Sequence, residues 1–192
     1  MMMDRQLKIL GVVGSLRKGS YNKALMRTAM KLLPEGVTMD VFDLVEIPPF
    51  NQDLERIPPK IVSEFKSKIR ASDAILFVSP EYNYSIPGVL KNAIDWASRP
   101  NDDNAFDGKP VAVMSASIGK LGGARMQYHL RQVFVYLNMY PINHPEFMLP
   151  NAADYFDEDG NLTDKETGKR IQELIEALAE WTLKLKEKPR QP

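Results

Sequence analysis

The chain contains no cysteine. That excludes thiol–disulfide exchange, iron–sulfur clusters and Cys-ligated zinc, so any redox chemistry has to reside in an organic cofactor. Histidine is nearly absent as well: His129 and His144 are the only two, neither in an HxxxH or His–carboxylate spacing, and no metal ligand is expected. Net charge is missing too, with Lys+Arg and Asp+Glu both at 25. With no field to steer a polyanion and no basic run interleaved with aromatics, nucleic acid is not an expected partner. No segment approaches the ~18 consecutive apolar residues of a membrane span, and the opening MMMDRQ has neither the basic region nor the apolar stretch of a secretory leader. A soluble, cytoplasmic protein is the resulting expectation. Linkers rich in Pro, Gly and Ser are also lacking, so the 192 residues, 44% hydrophobic, are expected to form one domain over 1–192 with 1–6 and 187–192 as frayed tails.

Two nucleotide fingerprints are absent where they would be expected. Lys8 to Gly14 (KILGVVG) reads as an apolar strand, followed by SLRKGSYN and a helix with Leu25, Ala29, Leu32 and Leu33 at helical spacing. Gly14 and Gly19 have the glycine spacing of a P-loop, but Ser20 and Tyr21 stand where a Lys-Ser/Thr pair would be needed, which disfavours a nucleoside triphosphate. GxGxxG is not present after the strand either, so no dinucleotide pyrophosphate site is marked. What remains fits a single phosphate: small and hydroxyl residues at Gly14, Ser15, Gly19 and Ser20 before a helix N-terminus, with Arg17 available for a charged contact. The same turn would also serve as a plain helix cap.

Two further segments repeat the order strand, loop, helix. Ala74 to Val78 (AILFV) has the length and composition of a buried parallel strand. It runs into SPEYNYSIPG and a helix marked by Val89, Leu90, Ala93, Ile94 and Trp96. Pro110 to Met114 (PVAVM) leads into SASIGKLGGAR, where Gly119, Gly122 and Gly123 allow close backbone approach to a ring and Ser115 and Ser117 offer hydroxyls. In open α/β sheets ligands sit outside the carboxyl ends of the strands, where all three loops fall.

The segments GSLRKGSYN, SPEYNYSIPGVLKNAIDWASRP and SIGKLGGAR resemble the NAD(P)H-dependent FMN reductase family, and within it the bacterial chromate/quinone reductases. The resemblance runs in order from the first strand to PEFMLP at Pro145 to Pro150 and covers the helix around YHLRQ. It implies that Ser15, Arg17, Ser20 and Asn22 hold the FMN phosphate. It implies further that Pro80, Glu81, Tyr82 and Asn83 border the isoalloxazine and ribityl chain, with Ser117 and Gly119 closing the other side. The expected activity is a ping-pong reaction in which NADPH or NADH reduces the flavin and a quinone, azo compound, chromate or similar acceptor reoxidises it. No acid or base side chain is required, so no catalytic residue is assigned. Backbone N–H groups after Tyr82 and around Gly119 are candidates to stabilise charge on the reduced ring. A flavodoxin-type carrier or FMN-binding module without its own turnover is the competing reading, disfavoured by the neutral charge balance.

Strands alternating with helices, apolar rather than alternating in pattern, indicate a parallel sheet covered on both faces. Adding Thr38 to Phe42 as a strand, Ile61 to Ile69 as a helix and Ile171 to Leu185 as the last helix gives an α/β, three-layer flavodoxin-like fold. Its five strands are expected in the order 2-1-3-4-5, as the resemblance also implies. The acidic stretch Asp154 to Glu166 has Tyr155 where a calcium loop needs its first carboxylate, so an exposed turn is expected, with Thr163 and Glu166 as a capping box for the last helix. The helix Gly123 to Asn138 carries more apolar surface than one sheet-facing stripe requires. Arg125, Tyr128 and Arg131 are candidates for a subunit contact, and the resemblance implies a homodimer or homotetramer.

Overall fold

The computed structural model describes residues 6–187. Of the tails expected to fray, 1–5 and 188–192 lie outside the described residues, whereas Glu187 lies within a helix. Leu7–Val13 (β1), Val37–Phe42 (β2), Ala74–Val78 (β3) and Pro110–Ala116 (β4) form the parallel sheet in the order β2-β1-β3-β4. β3 and β4 are buried at every position, as continuous apolar runs covered on both faces must be.

The fifth strand differs from its expected form. Two short strands share that edge: Tyr140–Pro141 (β5) pairs with Pro110 and Val111, and Phe147–Leu149 (β6) pairs with Met114 to Ala116. Between them Pro145 brings no N–H to the ladder, which interrupts pairing without changing the order. The sheet is therefore flavodoxin-like, with a divided edge.

Alternation along the strands sends side chains to two cores. Ile9, Leu76 and Met114 meet Leu25 and Ala29 of Tyr21–Lys31 (α1) and Ile171, Leu174 and Leu178 of Lys165–Glu187 (α5). Leu10, Ile75, Phe77 and Val113 meet Phe65 of Lys60–Ala71 (α2), Ile94 and Trp96 of Gly88–Ala97 (α3), and Leu130 and Phe134 of Ala124–Tyr136 (α4). Phe77 stacks on Phe134 with ring centroids 5.7 Å apart. Truncating such a ring to Ala costs about 3–5 kcal/mol.

Two helix ends differ from the sequence expectation. The Asp164 carboxylate accepts from Thr167 N at 2.7 Å and caps α5, while Thr163 Oγ1 donates to Tyr155 O at 3.1 Å. The expected Thr163–Glu166 capping box is thus replaced by an Asp cap one residue later. α4 is shorter than Gly123 to Asn138, because Gly123 (φ 91°) and Asn138 (φ 54°) are left-handed and stand outside it. The acidic stretch forms a turn closed by Phe156 and Leu162, in which Asp157 accepts from Asn161 N at 2.7 Å. No helix among the described residues is long and apolar enough to cross a membrane.

Candidate active site

The three loops meet at the carboxyl ends of β1, β3 and β4, joined by backbone bonds. Gly14 N donates to Val78 O at 2.9 Å, and Ser79 N donates to Met114 O at 3.1 Å. A Cβ on Gly14 would run into the Ser79 side chain, so glycine lets the first two loops touch.

In the first loop Ser15 and Ser20 are buried and Arg17 is exposed, its guanidinium 5.7 Å from the Tyr21 ring. Ser20 is the N-cap of α1, yet its hydroxyl makes no capping bond and the first turn holds no acidic residue. A buried hydroxyl not spent on its own helix is available to an anion at that terminus. The side-chain amide of Asn22 is already engaged. Its Nδ2 donates to Ala116 O at 2.9 Å and its Oδ1 accepts from Ala116 N at 2.9 Å, tying α1 to the end of β4.

The second loop is a two-residue hairpin. Tyr82 and Ser85 exchange backbone bonds of 3.1 and 2.9 Å around Asn83 (φ 49°) and Tyr84 (φ 65°). Two consecutive left-handed residues define a type I′ turn, where Asn is favoured first and Gly second. A tyrosine in the second position is strained by about 1–3 kcal/mol. Tyr84 is held by Arg125, whose guanidinium lies 3.5 Å from its ring centroid. Arg125 is held in turn by Glu81: Nε donates to Oε1 at 2.5 Å, and the Glu81 side chain is only 7% exposed. The other carboxylate oxygen accepts from Arg125 N at 3.1 Å and Met126 N at 3.3 Å, so Glu81 also caps α4. This carboxylate raises the Arg125 pKa above its ordinary value.

The third loop is fixed from behind. Ser115 was expected to offer its hydroxyl to a ring, but it is fully buried and donates to Gly122 O at 2.6 Å. Gln127 Nε2 donates to Ser115 Oγ at 2.7 Å and Phe147 O at 2.8 Å, while its buried Oε1 has no partner. Gly122 (φ 59°) packs so closely on Leu149 and Pro150 that a Cβ would come within 2.9 Å of their backbone. Gly119 N donates to Ser117 Oγ at 3.1 Å, so this amide already has an acceptor.

A cavity of about 360 Å³ opens between the second and third loops, lined by Glu81, Asn83, Tyr84, Ser117, Gly119, Lys120, Leu121, Gly122, Gly123 and Arg125. Of the residues expected from sequence, Glu81, Asn83, Ser117 and Gly119 line it. Pro80, half-buried, and Tyr82, exposed, are not among its lining residues, and Ser15, Arg17 and Ser20 belong to the first loop. Tyr84, Arg125 and Gln127 acquire their site roles only in the fold, Arg125 having been read from sequence as a subunit-contact candidate; the Pro-Glu-Tyr-Asn-Tyr spacing was the one sequence signal for Tyr84.

The family model for NADPH-dependent FMN reductase matches residues 7–154. An NAD(P)H-dependent FMN reductase of Pseudomonas aeruginosa is 47% identical over 185 residues, covering 96% of this chain and 100% of the relative. An NAD(P)H:quinone oxidoreductase of Solanum tuberosum is 48% identical over 190 residues, covering 95% and 96%. Among solved structures, the flavoenzyme NAD(P)H:(acceptor) oxidoreductase FerB of Paracoccus denitrificans superposes with a TM-score of 0.85 at 36% identity, covering 93% of this chain and 98% of that one.

Proposed function

Because the chain belongs to the NADPH-dependent FMN reductase family, we propose that it holds FMN across the three converging loops and passes two electrons from NAD(P)H to a quinone. FMN, when bound, supplies the redox chemistry, accepting a hydride equivalent and releasing electrons to the acceptor. The observation that carries the reading is the convergence itself: three loops from β1, β3 and β4, cross-tied by Gly14–Val78, Ser79–Met114 and Glu81–Arg125.

The residues fit that cofactor. Ser15, Ser20 and Arg17, with the free first-turn amides of α1, are the phosphate binders, and Asn22 keeps this helix end in register with β4. A Cβ at Gly19 would meet nothing within 4 Å and one at Gly119 only Ser117 Oγ at 3.5 Å, so both glycines border open space. Pro80, Glu81, Tyr82 and Asn83 border one side of the ring and ribityl chain, and Ser117 and Gly119 the other. Glu81 acts through its carboxylate as a clamp on Arg125 and α4, leaving the hairpin to face the ring. Stabilisation of the reduced ring falls to amides of the Asn83–Tyr84 turn rather than to Gly119 N, which is already engaged.

The relatives' names support a quinone as acceptor; azo compounds and chromate belong to the same proposal, with turnover in the cytoplasm as one compact domain. Exposed Tyr128 (52%), Val135 (81%) and Tyr136 (70%) on the outer face of α4 support a homodimer or homotetramer. Sedimentation velocity of wild type and Val135→Glu tests that part: a wild-type monomer contradicts it. Steady-state rates with NADPH and benzoquinone test the reaction. Parallel double-reciprocal lines support alternate occupation of one site; intersecting lines exclude the ping-pong order.

A further inference from the structure

The chain is neutral as a whole, but its charges are divided. Leu7 to Pro34, which contains the first loop, carries six Lys/Arg and no Asp or Glu. Gly108 to Pro145, which contains the third loop, carries Lys109, Lys120, Arg125 and Arg131 and again no acid. Three of those four are engaged. Lys109 donates to Arg70 O and Ser72 O at the amino ends of β3 and β4, Arg125 is neutralised by Glu81, and Arg131 donates to Ile142 O with Glu146 4.0 Å away. Lys120 is exposed, lines the cavity between the second and third loops, and makes no hydrogen bond or ion pair among the described residues. It is the unneutralised cation of that cavity.

Resting on the function proposed above, we infer that Lys120 is a specificity-determining residue that binds a phosphate group of the incoming nicotinamide dinucleotide. The flavin phosphate belongs to the first loop, and the chain lacks the glycine fingerprint by which backbone amides take a pyrophosphate. A second phosphate-bearing ligand must then find its counter-charge on a side chain at the cavity mouth. A lysine there is a point charge on a flexible stem, suited to a phosphate approaching from solvent. Its contribution is to affinity and approach, weakening as salt rises.

The test is calorimetric titration of the oxidised FMN-loaded protein with NADP⁺ and, separately, NAD⁺, on wild type, Lys120→Gln and Lys184→Gln. Lys184 is an exposed lysine of α5 and controls for loss of one charge. The expected result is a rise of about 10-fold in the Kd for NADP⁺ in Lys120→Gln, the lower end of the range for one charged hydrogen bond, with FMN affinity unchanged. A matching rise for NAD⁺ assigns Lys120 to the pyrophosphate, and a rise for NADP⁺ alone assigns it to the 2′-phosphate. Unchanged dinucleotide affinity, an equal loss in Lys184→Gln, or an equal loss of FMN affinity overturns the inference while the reductase reading stands. Wild-type protein that retains FMN but binds neither dinucleotide overturns both.

Discussion

Asn22 and Ala116, 94 positions apart, are joined by two 2.9 Å hydrogen bonds that use both ends of one side-chain amide. The pair imitates one rung of a strand ladder, but with a side chain of α1 in place of a neighbouring strand. It fixes the first loop against the start of the third. Asn22→Ala leaves the Ala116 N–H and C=O buried without partners and is expected to cost about 2–6 kcal/mol of stability, at 1–3 kcal/mol for each orphaned group. Urea unfolding measures it. A loss below 0.5 kcal/mol, by the same scale about half a hydrogen bond, would show that the bracket is dispensable.

Arg17 differs from Asn22 in having no contact to hold among the described residues beyond the Tyr21 ring. Arg17→Ala should leave unfolding unchanged and weaken FMN binding by about 10- to 150-fold, the equivalent of a charged hydrogen bond worth roughly 1.5–3 kcal/mol. Quenching of flavin fluorescence gives the affinity. Equal Kd values for the two proteins would remove Arg17 from the phosphate site.

Glu81 and Arg125 make an electrostatic prediction. Glu81→Gln removes the negative charge and leaves the guanidinium uncompensated beside the cavity, and both changes favour the more negative, reduced flavin. The midpoint potential of the bound flavin should therefore become more positive, as read by dye-coupled reduction. A potential that stays fixed while the protein remains folded would place the pair too far from the ring to matter.

The pH dependence of stability follows from carboxylates held below their ordinary value of 3.8. Asp164 is lowered chiefly by its hydrogen bonds with Thr167, Asp157 by the Asn161 backbone, and Asp40 by Lys68 and Lys8. A folded pKa below the unfolded one contributes stability that is fully present above the unfolded value and is lost as pH falls through the folded one. Acid unfolding is accordingly expected to set in below about pH 3.8, and Asp164→Asn should make the loss shallower. Circular dichroism across pH 2–6 checks both, and identical acid profiles would show that the α5 cap carries no linkage.

Much of this was legible in the sequence because the parallel strands are continuous apolar runs. AILFV and PVAVM needed no partner information to be recognised, and the glycine and serine loops after them could be placed by order alone. The divided edge at β5 and β6 was less accessible, since two- and three-residue strands give no periodicity. Side-chain direction was the other gap. Ser115 follows the strand pattern and turns inward to Gly122, and Glu81, although it lines the cavity, commits its carboxylate to Arg125 and the first turn of α4; both depend on neighbours more than 5 positions away. Gln127 sits on the buried face of an otherwise apolar helix stripe, where composition alone suggests a solvated residue.

An anaerobic visible spectrum of the protein loaded with FMN, recorded before and after stoichiometric NADPH and again after a quinone, bears most directly on the central claim. The absorbance of the bound flavin is expected to bleach with NADPH and return with quinone. A bound flavin that stays oxidised in the presence of NADPH would contradict it and leave a flavin-binding module in place of a reductase.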